Sequence, residues 1–590
     1  MKKKGDFAFQ PKMLVISGIA ICIGVLCAVV AWVLFRLIGL VTNLMFHLRF
    51  AWDFASPADN PLGAWVILVP VVGGLIVGLM ARFGTDRIRG HGIPEALEAI
   101  LYGKSIMSPR VAVLKPLSSA VAIGSGGPFG AEGPIIMTGG AVGSLVATAF
   151  MLTANERRTL LVAGAAAGMA ATFNTPIAAV LLSVELLLFE LKPRSLVPVG
   201  LACAVAAALR PYLLGGGALF HVPAHYAVSD LGLLSAVPCG ILAAALSLIL
   251  TVSVYACEDA FRKLPVHWMW WPALGGLVVG IGGYFEPHAL GVGYDVIRGL
   301  LNGHYLIGAA LILVAVKLVI WAIALGSGTS GGVLAPLLIM GAGLGVLEGS
   351  FLPGASPLVW PLVSMGAVLA GTMRSPLTAI VFCLELTYSI DVLRPLLIAC
   401  IVAHATSVLV LKRSILTEKV ARHGFHIFRE YNVDPMGTLF VADVMTRTVQ
   451  SIPGDSSAAQ VRKDYFHHET QKFRSYPVTD ETGRVLGLVT RAEIVRYCVE
   501  APERSLADWC ADMKPVVATP DATCYETAGR MALERMERMP VVPEDGSGQL
   551  IGIITRSDIV NAMHRHFEDE QLAERRLDVL GINGRNRTHK

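Results

Sequence analysis

"GSGGPFGAEGPIIMTGG", residues 124–140, sets a run of glycines, two prolines and one carboxylate, Glu132, inside an otherwise apolar stretch. Such a segment does not make a good continuous helix, because Gly and Pro cost about 1 and 3 kcal/mol relative to Ala in a helix interior. It fits unwound chain that ends where a helix begins. Pro134 then falls in the first turn, where its missing N–H does no harm.

The surroundings say which solvent the segment meets. Of 590 residues, 54% are hydrophobic and 16% charged, and the mean hydropathy is +0.61. A soluble domain carries about 25% charged residues. The deficit is uneven: apolar segments follow one another from about Met13 to Val410, and charges return every few residues from Lys412 onward. The pattern is that of a polytopic membrane domain followed by a soluble one. A formal charge of +4, spread along the chain, does not point to nucleic acid. After Lys2, Lys3 and Lys4 the first apolar run exceeds 20 residues, longer than the roughly 7–15 of a signal-peptide core. A retained first helix with its basic end in the cytoplasm is expected. The ten cysteines are scattered without a CxxC pair, so neither zinc nor a disulfide framework is indicated and small core residues are expected.

The opening stretch has a second copy, "GSGTSGGVLAPLLIMGAGLG", beginning at Gly326. At an offset of 202, Gly124, Ser125, Gly126, Pro134, Gly139 and Gly143 fall on Gly326, Ser327, Gly328, Pro336, Gly341 and Gly345, and Lys115 falls on Lys317. "TFNTPIAAVLLSVEL" from Thr172 matches "TMRSPLTAIVFCLEL" from Thr372, pairing Pro176 with Pro376 and Glu185 with Glu385. Duplicated halves are a recurring plan for transporters, with the substrate site where the repeats meet. Close helix packing accounts for some of these glycines, but not for two glycine-rich breaks in equivalent places.

A helix start offers free N–H groups and about half a positive charge. Two starts converging in the membrane make an anion site without a buried Lys or Arg. Irregular backbone at that depth is tolerated only where it lines an enclosed cavity. A membrane carboxylate costs about 2.5–3.5 kcal/mol on insertion scales and is functional by default. Beside an anion site Glu132 is a built-in competitor, occupying the site when charged and leaving when protonated. The plainer reading is a glutamate at a helix N-terminus, facing water.

With these residues in place, the sequence resembles the CLC family of chloride channels and proton/chloride exchangers. The family's three anion-site motifs match "GHGIPE" (Gly90–Glu95), "GAEGP" (Gly130–Pro134) and "GGVLAP" (Gly331–Pro336). The resemblance covers roughly residues 15–420. It implies a homodimer with one pore per subunit, built from two inverted repeats of broken helices, here about 60–210 and 265–412 of a membrane domain 1–416. On that resemblance Glu132 is the gating glutamate. Gly90, His91, Gly92, Gly130, Ala131, Gly133, Gly332, Val333, Leu334 and Leu416 surround the anion, with backbone amides around Ala131, Glu132, Val333 and Leu334 as donors. The departures are specific. His91 stands where the family usually has serine, Leu334 where it has phenylalanine, and Leu416 where a tyrosine is expected. An imidazole N–H can replace a serine hydroxyl; the alternative is a neutral histidine capping a helix start. Leu186 occupies the internal proton-relay position of the exchangers, which favours passive conduction and leaves exchange open.

From Phe440 the composition is that of a soluble α/β module, and it repeats: "VLGLVTRAEIV" is echoed by "LIGIITRSDIV" at an offset of 65. This resembles a tandem CBS pair, 440–500 and 501–566, after a linker 417–439 and before a tail 567–590. The resemblance implies adenine-nucleotide binding at Thr490, Glu493, Thr555 and Asp558; the alternative is helix capping, a common use of Thr and Asp. His467, His468 and Glu469 lack a further ligand at fixed spacing, and no metal is expected. "NRT" at Asn586 is irrelevant to a cytoplasmic tail.

The function expected is chloride or other small-anion transport across an inner (plasma) membrane by a gated channel with cytoplasmic CBS domains. A proton-coupled antiporter is the alternative. No P-loop, nucleophile elbow or metal-ligand cluster suggests an enzyme. A CBS-regulated cation transporter predicts carboxylates concentrated at the membrane site, whereas this chain offers backbone N–H donors.

Overall fold

Helices in this chain break where glycine and proline cluster, and the breaks organise the fold. The computed structural model describes residues 12–564 apart from 104, 151, 223–226, 425–435, 437–438, 468–472 and 512–514. Lys2, Lys3, Lys4, His468, Glu469 and Asn586 lie outside the described residues. The chain divides into two units, Met1–Arg429 and Glu430–Lys590.

In the first unit the leading helices are α1 (Lys12–Phe46), α2 (Leu68–Phe83), α3 (Ile93–Leu101), α4 (Pro109–Gly124), α5 (Glu132–Ala149), α6 (Ala154–Phe173), α7 (Pro176–Leu182) and α8 (Pro193–Leu213). A second set of eight follows: α9 (Asp230–Arg262), α10 (Trp271–Phe285), α11 (Tyr294–Leu301), α12 (Ile307–Gly326), α13 (Leu334–Glu348), α14 (Val359–Met373), α15 (Pro376–Thr387) and α16 (Leu393–Val410). The short α17 (Ile415–Arg422) closes the unit. Among the described residues six helical segments are long and apolar enough to cross a membrane.

The two sets are repeats that meet reciprocally. A Cβ on Gly74 of α2 would lie 2.3 Å from the Pro272 carbonyl oxygen, and one on Gly276 of α10 lies 2.3 Å from that of Pro70. Only hydrogen side chains let the two backbones approach so closely. α6 ends on Asn174 and α14 on Arg374, both left-handed, with φ of 61° and 58°. Ahead of these, α1 packs on α4, α6 and α8 as α9 packs on α12, α14 and α16.

Seven cysteines, Cys27, Cys203, Cys239, Cys383, Cys400, Cys510 and Cys524, are buried, and Cys257 and Cys498 are partly so. Cys22 departs from the expectation of a core residue. It is exposed on α1 beside exposed Ile21, Val25 and Leu26, an apolar stripe suited to lipid, where small hydrophobes need no protein cover.

The second unit contains α18 (Val441–Val444), α19 (Ala458–Tyr465), α20 (Arg491–Glu500), α21 (Leu506–Cys510) and α22 (Cys524–Leu533). Its strands are β1 (Ile452–Pro453), β2 (Ser475–Thr479), β3 (Val485–Thr490), β4 (Arg538–Val541) and β5 (Gly552–Thr555). β2 pairs antiparallel with β3 and parallel with β1; β4 pairs antiparallel with β5. Each half has its own apolar core, around Val478 and Val489 in one and around Val541 and Ile554 in the other.

Candidate functional site

The three glycine motifs, remote in sequence, are joined to one another by backbone hydrogen bonds. Gly130 N–H donates to the Gly332 carbonyl at 3.2 Å, and Gly332 N–H returns to that of Gly130 at 2.9 Å. Gly331 N–H donates to the Gly90 carbonyl at 3.4 Å. From this junction α3, α5 and α13 all start. The approach leaves no room for side chains: a Cβ on Gly133 would sit 1.9 Å from the His91 carbonyl oxygen. Gly92 has φ +87°, and its Cβ would meet the Gly133 oxygen at 2.5 Å.

The bonding divides the expected donors. The amides of Gly130 and Gly332 are engaged with each other, and Gly92 N–H donates to Glu95 Oε2 at 2.8 Å. These three amides are engaged within the junction. Glu132 and Gly133 on α5, and Leu334 on α13, are first-turn residues whose N–H groups have no carbonyl four residues back. Ala131, Val333 and Leu334 are all buried there.

Glu132 is fully buried and its carboxylate folds back over the glycines. A Cβ on Gly130 would lie 1.6 Å from Oε2, and one on Gly332 would lie 2.7 Å from it. Oε1 faces the Tyr294 hydroxyl at a long 3.5 Å, and Oε2 has no hydrogen-bond partner among the described residues. The carboxylate thus sits where two helix starts converge, held mainly by their positive ends. His91 is buried and its Nδ1 also has no partner among the described residues.

Two buried lysines support the junction. Lys115 Nζ donates to the carbonyls of Ile88 and Gly90, each at 2.8 Å. Lys317 Nζ donates to Ala289 at 2.8 Å and Gly291 at 3.1 Å. Each ammonium fixes the turn that enters a Gly-x-Gly helix start. Glu185 and Glu385 are reciprocal helix caps. Glu185 accepts from the amides of Leu377 and Thr378 at the start of α15, at 3.3 and 2.8 Å. Glu385 accepts from Ile177 and Ala178 of α7 at 3.0 and 2.8 Å. Leu186 is buried in the π-helical turn Ser183–Leu188 that follows α7.

Leu416 is buried on α17, which packs on α3. The polar link from α17 to the first motif is Lys419, whose Nζ lies 3.6 Å from Glu95 Oε1. Lys419 does not stand out in sequence. Tyr294 had a signal: Gly291-Val292-Gly293-Tyr294 repeats Gly90-His91-Gly92-Ile93 201 residues later.

Two cavities flank the junction. One of about 480 Å³ is lined by Arg89, Glu95, Glu98, Glu258, Lys419 and His423, among others. The other, of about 380 Å³, is lined by Phe35, Arg36, Phe54, Thr172, Arg210 and Tyr294, among others. They lie on opposite faces. α9 begins beyond the loop that follows Arg210, and after about 40 Å of helix at 1.5 Å per residue it delivers Glu258 to the first cavity.

A family model described as "Voltage gated chloride channel" matches residues 72–408, more than half of the chain. The chain belongs to the CLC family. Its C-terminal unit matches the CBS domain twice, at 441–500 and 510–565. A voltage-gated ClC-type chloride channel ClcB of Citrobacter koseri is 31% identical over 433 residues, covering 69% of this chain and 99% of the relative. An H(+)/Cl(-) exchange transporter ClcA of Klebsiella pneumoniae is 28% identical over 395 residues, covering 63% and 79%. The solved structure of a slow cyanobacterial Cl-/H+ antiporter superposes with a TM-score of 0.63 at 24% identity, over 70% of this chain and 99% of that one. The CLC relatives thus include both channels and exchangers, and the chain is a transport protein of this family.

In the CBS pair the expected nucleotide residues act as caps. Thr490 N–H and Oγ1 both donate to Glu493 Oε2 at 2.8 Å, and Thr555 N–H and Oγ1 both donate to Asp558 Oδ2 at 2.8 Å. Each threonine accepts back from the amide three residues on. Among the described residues no group of three or more His, Cys, Asp or Glu is placed to hold a metal.

Proposed function

We propose that this CLC protein conducts chloride or a similar small anion passively, gated by Glu132. The observation that carries the reading is the Glu132 carboxylate seated over Gly130 and Gly332, where α5 and α13 both present first-turn amides. An anion and a carboxylate compete for the same partial positive charge. The ionised side chain closes the path and the protonated one releases it. Leu186 supports conduction over exchange, because an alkyl side chain buried at that position carries no proton. We place α17, the CBS pair and the cavity at Lys419 in the cytoplasm, and the cavity at Arg210 outside. The protein acts as a homodimer in the inner membrane, and the CBS pair adjusts the pore in response to an adenine nucleotide at Thr490, Glu493, Thr555 and Asp558.

The test is chloride efflux from liposomes carrying the purified chain, with proton movement recorded at the same time and voltage clamped by a potassium ionophore. Chloride flux without proton uptake is expected. Proton movement against its gradient, in fixed ratio to chloride, would overturn passive conduction in favour of exchange.

A further inference from the structure

We propose that the outer cavity holds a second anion site, built on Arg210, in which a small monovalent anion waits before it reaches Glu132. The inference rests on the anion-transport reading above and assigns a binding residue to a different part of the molecule. Arg210 is near the C-terminal end of α8 and is 5% exposed. Its Nη1 donates to the Gly215 carbonyl, while Nε is buried without a hydrogen-bond partner among the described residues. The Arg210 guanidinium lines the cavity with a donor that the described residues do not use, whereas buried polar groups are otherwise paired.

The charges around the cavity favour an anion. Its lining holds Arg36, Arg210 and a single carboxylate, Asp53. Asp53 is bound to Arg36 at 3.1 Å and is itself largely exposed, which leaves Arg210 as the uncompensated cation. A guanidinium is weakly hydrated and gives up water readily to a small anion. The remaining wall is mainly apolar, with Phe35, Trp52, Phe54 and Tyr294 beside three leucines and Thr172. The Tyr294 ring stacks near Phe54 at 6.4 Å and meets Phe220 edge-on at 5.9 Å. Such low-dielectric walls strengthen the field of one buried charge. Tyr294 also lines the cavity, and its hydroxyl faces Glu132 Oε1 at 3.5 Å. One tyrosine therefore joins the cavity lining to the gate.

The experiment uses the full chain in planar bilayers, with chloride varied separately on the two sides. Arg210→Gln should raise the half-saturating outer chloride about tenfold, the scale of a lost charge-assisted hydrogen bond, and leave the inner value unchanged. Arg210→Lys, which keeps the charge but loses the guanidinium donors, should fall between wild type and Arg210→Gln. An unchanged outer value, or equal shifts on both sides, refutes the site; the equal shift is what loss of the Gly215 tether alone would give. Crystals grown in bromide supply a readout independent of flux. An anomalous peak beside Arg210 in the wild type, absent in Arg210→Gln, supports the site, and no peak in the wild type overturns it. A wild type that carries no anion at all would refute the transport reading, and the bromide peak would still decide the site.

Discussion

Gly130→Ala should unseat the gate without touching Glu132. The added methyl would meet three atoms, Glu132 Oε2 at 1.6 Å, Cδ at 2.3 Å and Oε1 at 2.4 Å, all at the far end of one flexible side chain. Ordinary contact begins near 3.4 Å, so the carboxylate must retreat by about 1.8 Å. Gly130 does not have a positive φ, so alanine adds no backbone strain there. Interaction with a helix terminus reaches about 2 kcal/mol in partly buried geometry. Losing it shifts the seated-to-released ratio by up to about 30-fold. Wild-type flux should rise as pH falls, because protonation cancels the charge that seats Glu132. Gly130→Ala should conduct at neutral pH at close to the low-pH rate, with that pH dependence flattened. The assay is chloride efflux from liposomes between pH 4.5 and 8, with Glu132→Ala and the double variant alongside. Since both changes remove one interaction, their effects should not add. Retained pH dependence in folded Gly130→Ala, or additive effects in the double variant, would refute the seat. Gly332→Ala is the contrast: its Cβ meets the Gly130 carbonyl oxygen at 2.6 Å. There the junction itself must shift, and loss of folded protein is expected.

Lys115→Met should lower stability by about 2–4 kcal/mol, because two buried carbonyls lose a charged donor; thermal unfolding in detergent measures it, and Lys317→Met should behave alike. Glu185→Gln and Glu385→Gln should each cost about 1–2 kcal/mol, since an amide replaces a carboxylate at a helix start, while anion flux per folded molecule stays intact. Abolished flux in well-folded protein would assign those carboxylates to the transport path instead. In the CBS pair, an adenine nucleotide should raise the unfolding temperature of the full chain and Asp558→Asn should remove that rise. An equal rise in the variant would leave Asp558 as a helix cap alone.

Much of this protein is legible in its sequence. The apolar stretch to Val410 and the charged one after Lys412 separate membrane from soluble chain because a bilayer excludes unpaired charge. The offsets joining Gly124 to Gly326 and Thr172 to Thr372 disclose the duplication. The breaks at Gly130 and Gly331 announce helix starts, since neither Gly nor Pro sustains a helix interior. These signals are local, set by backbone freedom and side-chain hydration.

What the sequence does not hold is who meets whom across the repeats. That Gly130 and Gly332 engage each other's amides depends on two breaks about 200 residues apart arriving in register. That Glu185 caps α15 while Glu385 caps α7 follows from the same reciprocal packing. Lys419 beside Glu95 and Arg210 in a cavity lining with an unpartnered Nε are ordinary residues in the sequence, and Tyr294 beside Glu132 is marked only by the Gly-x-Gly before it. Their roles arise because the low-dielectric interior makes each remaining donor and charge count, and only tertiary packing decides which of them remain.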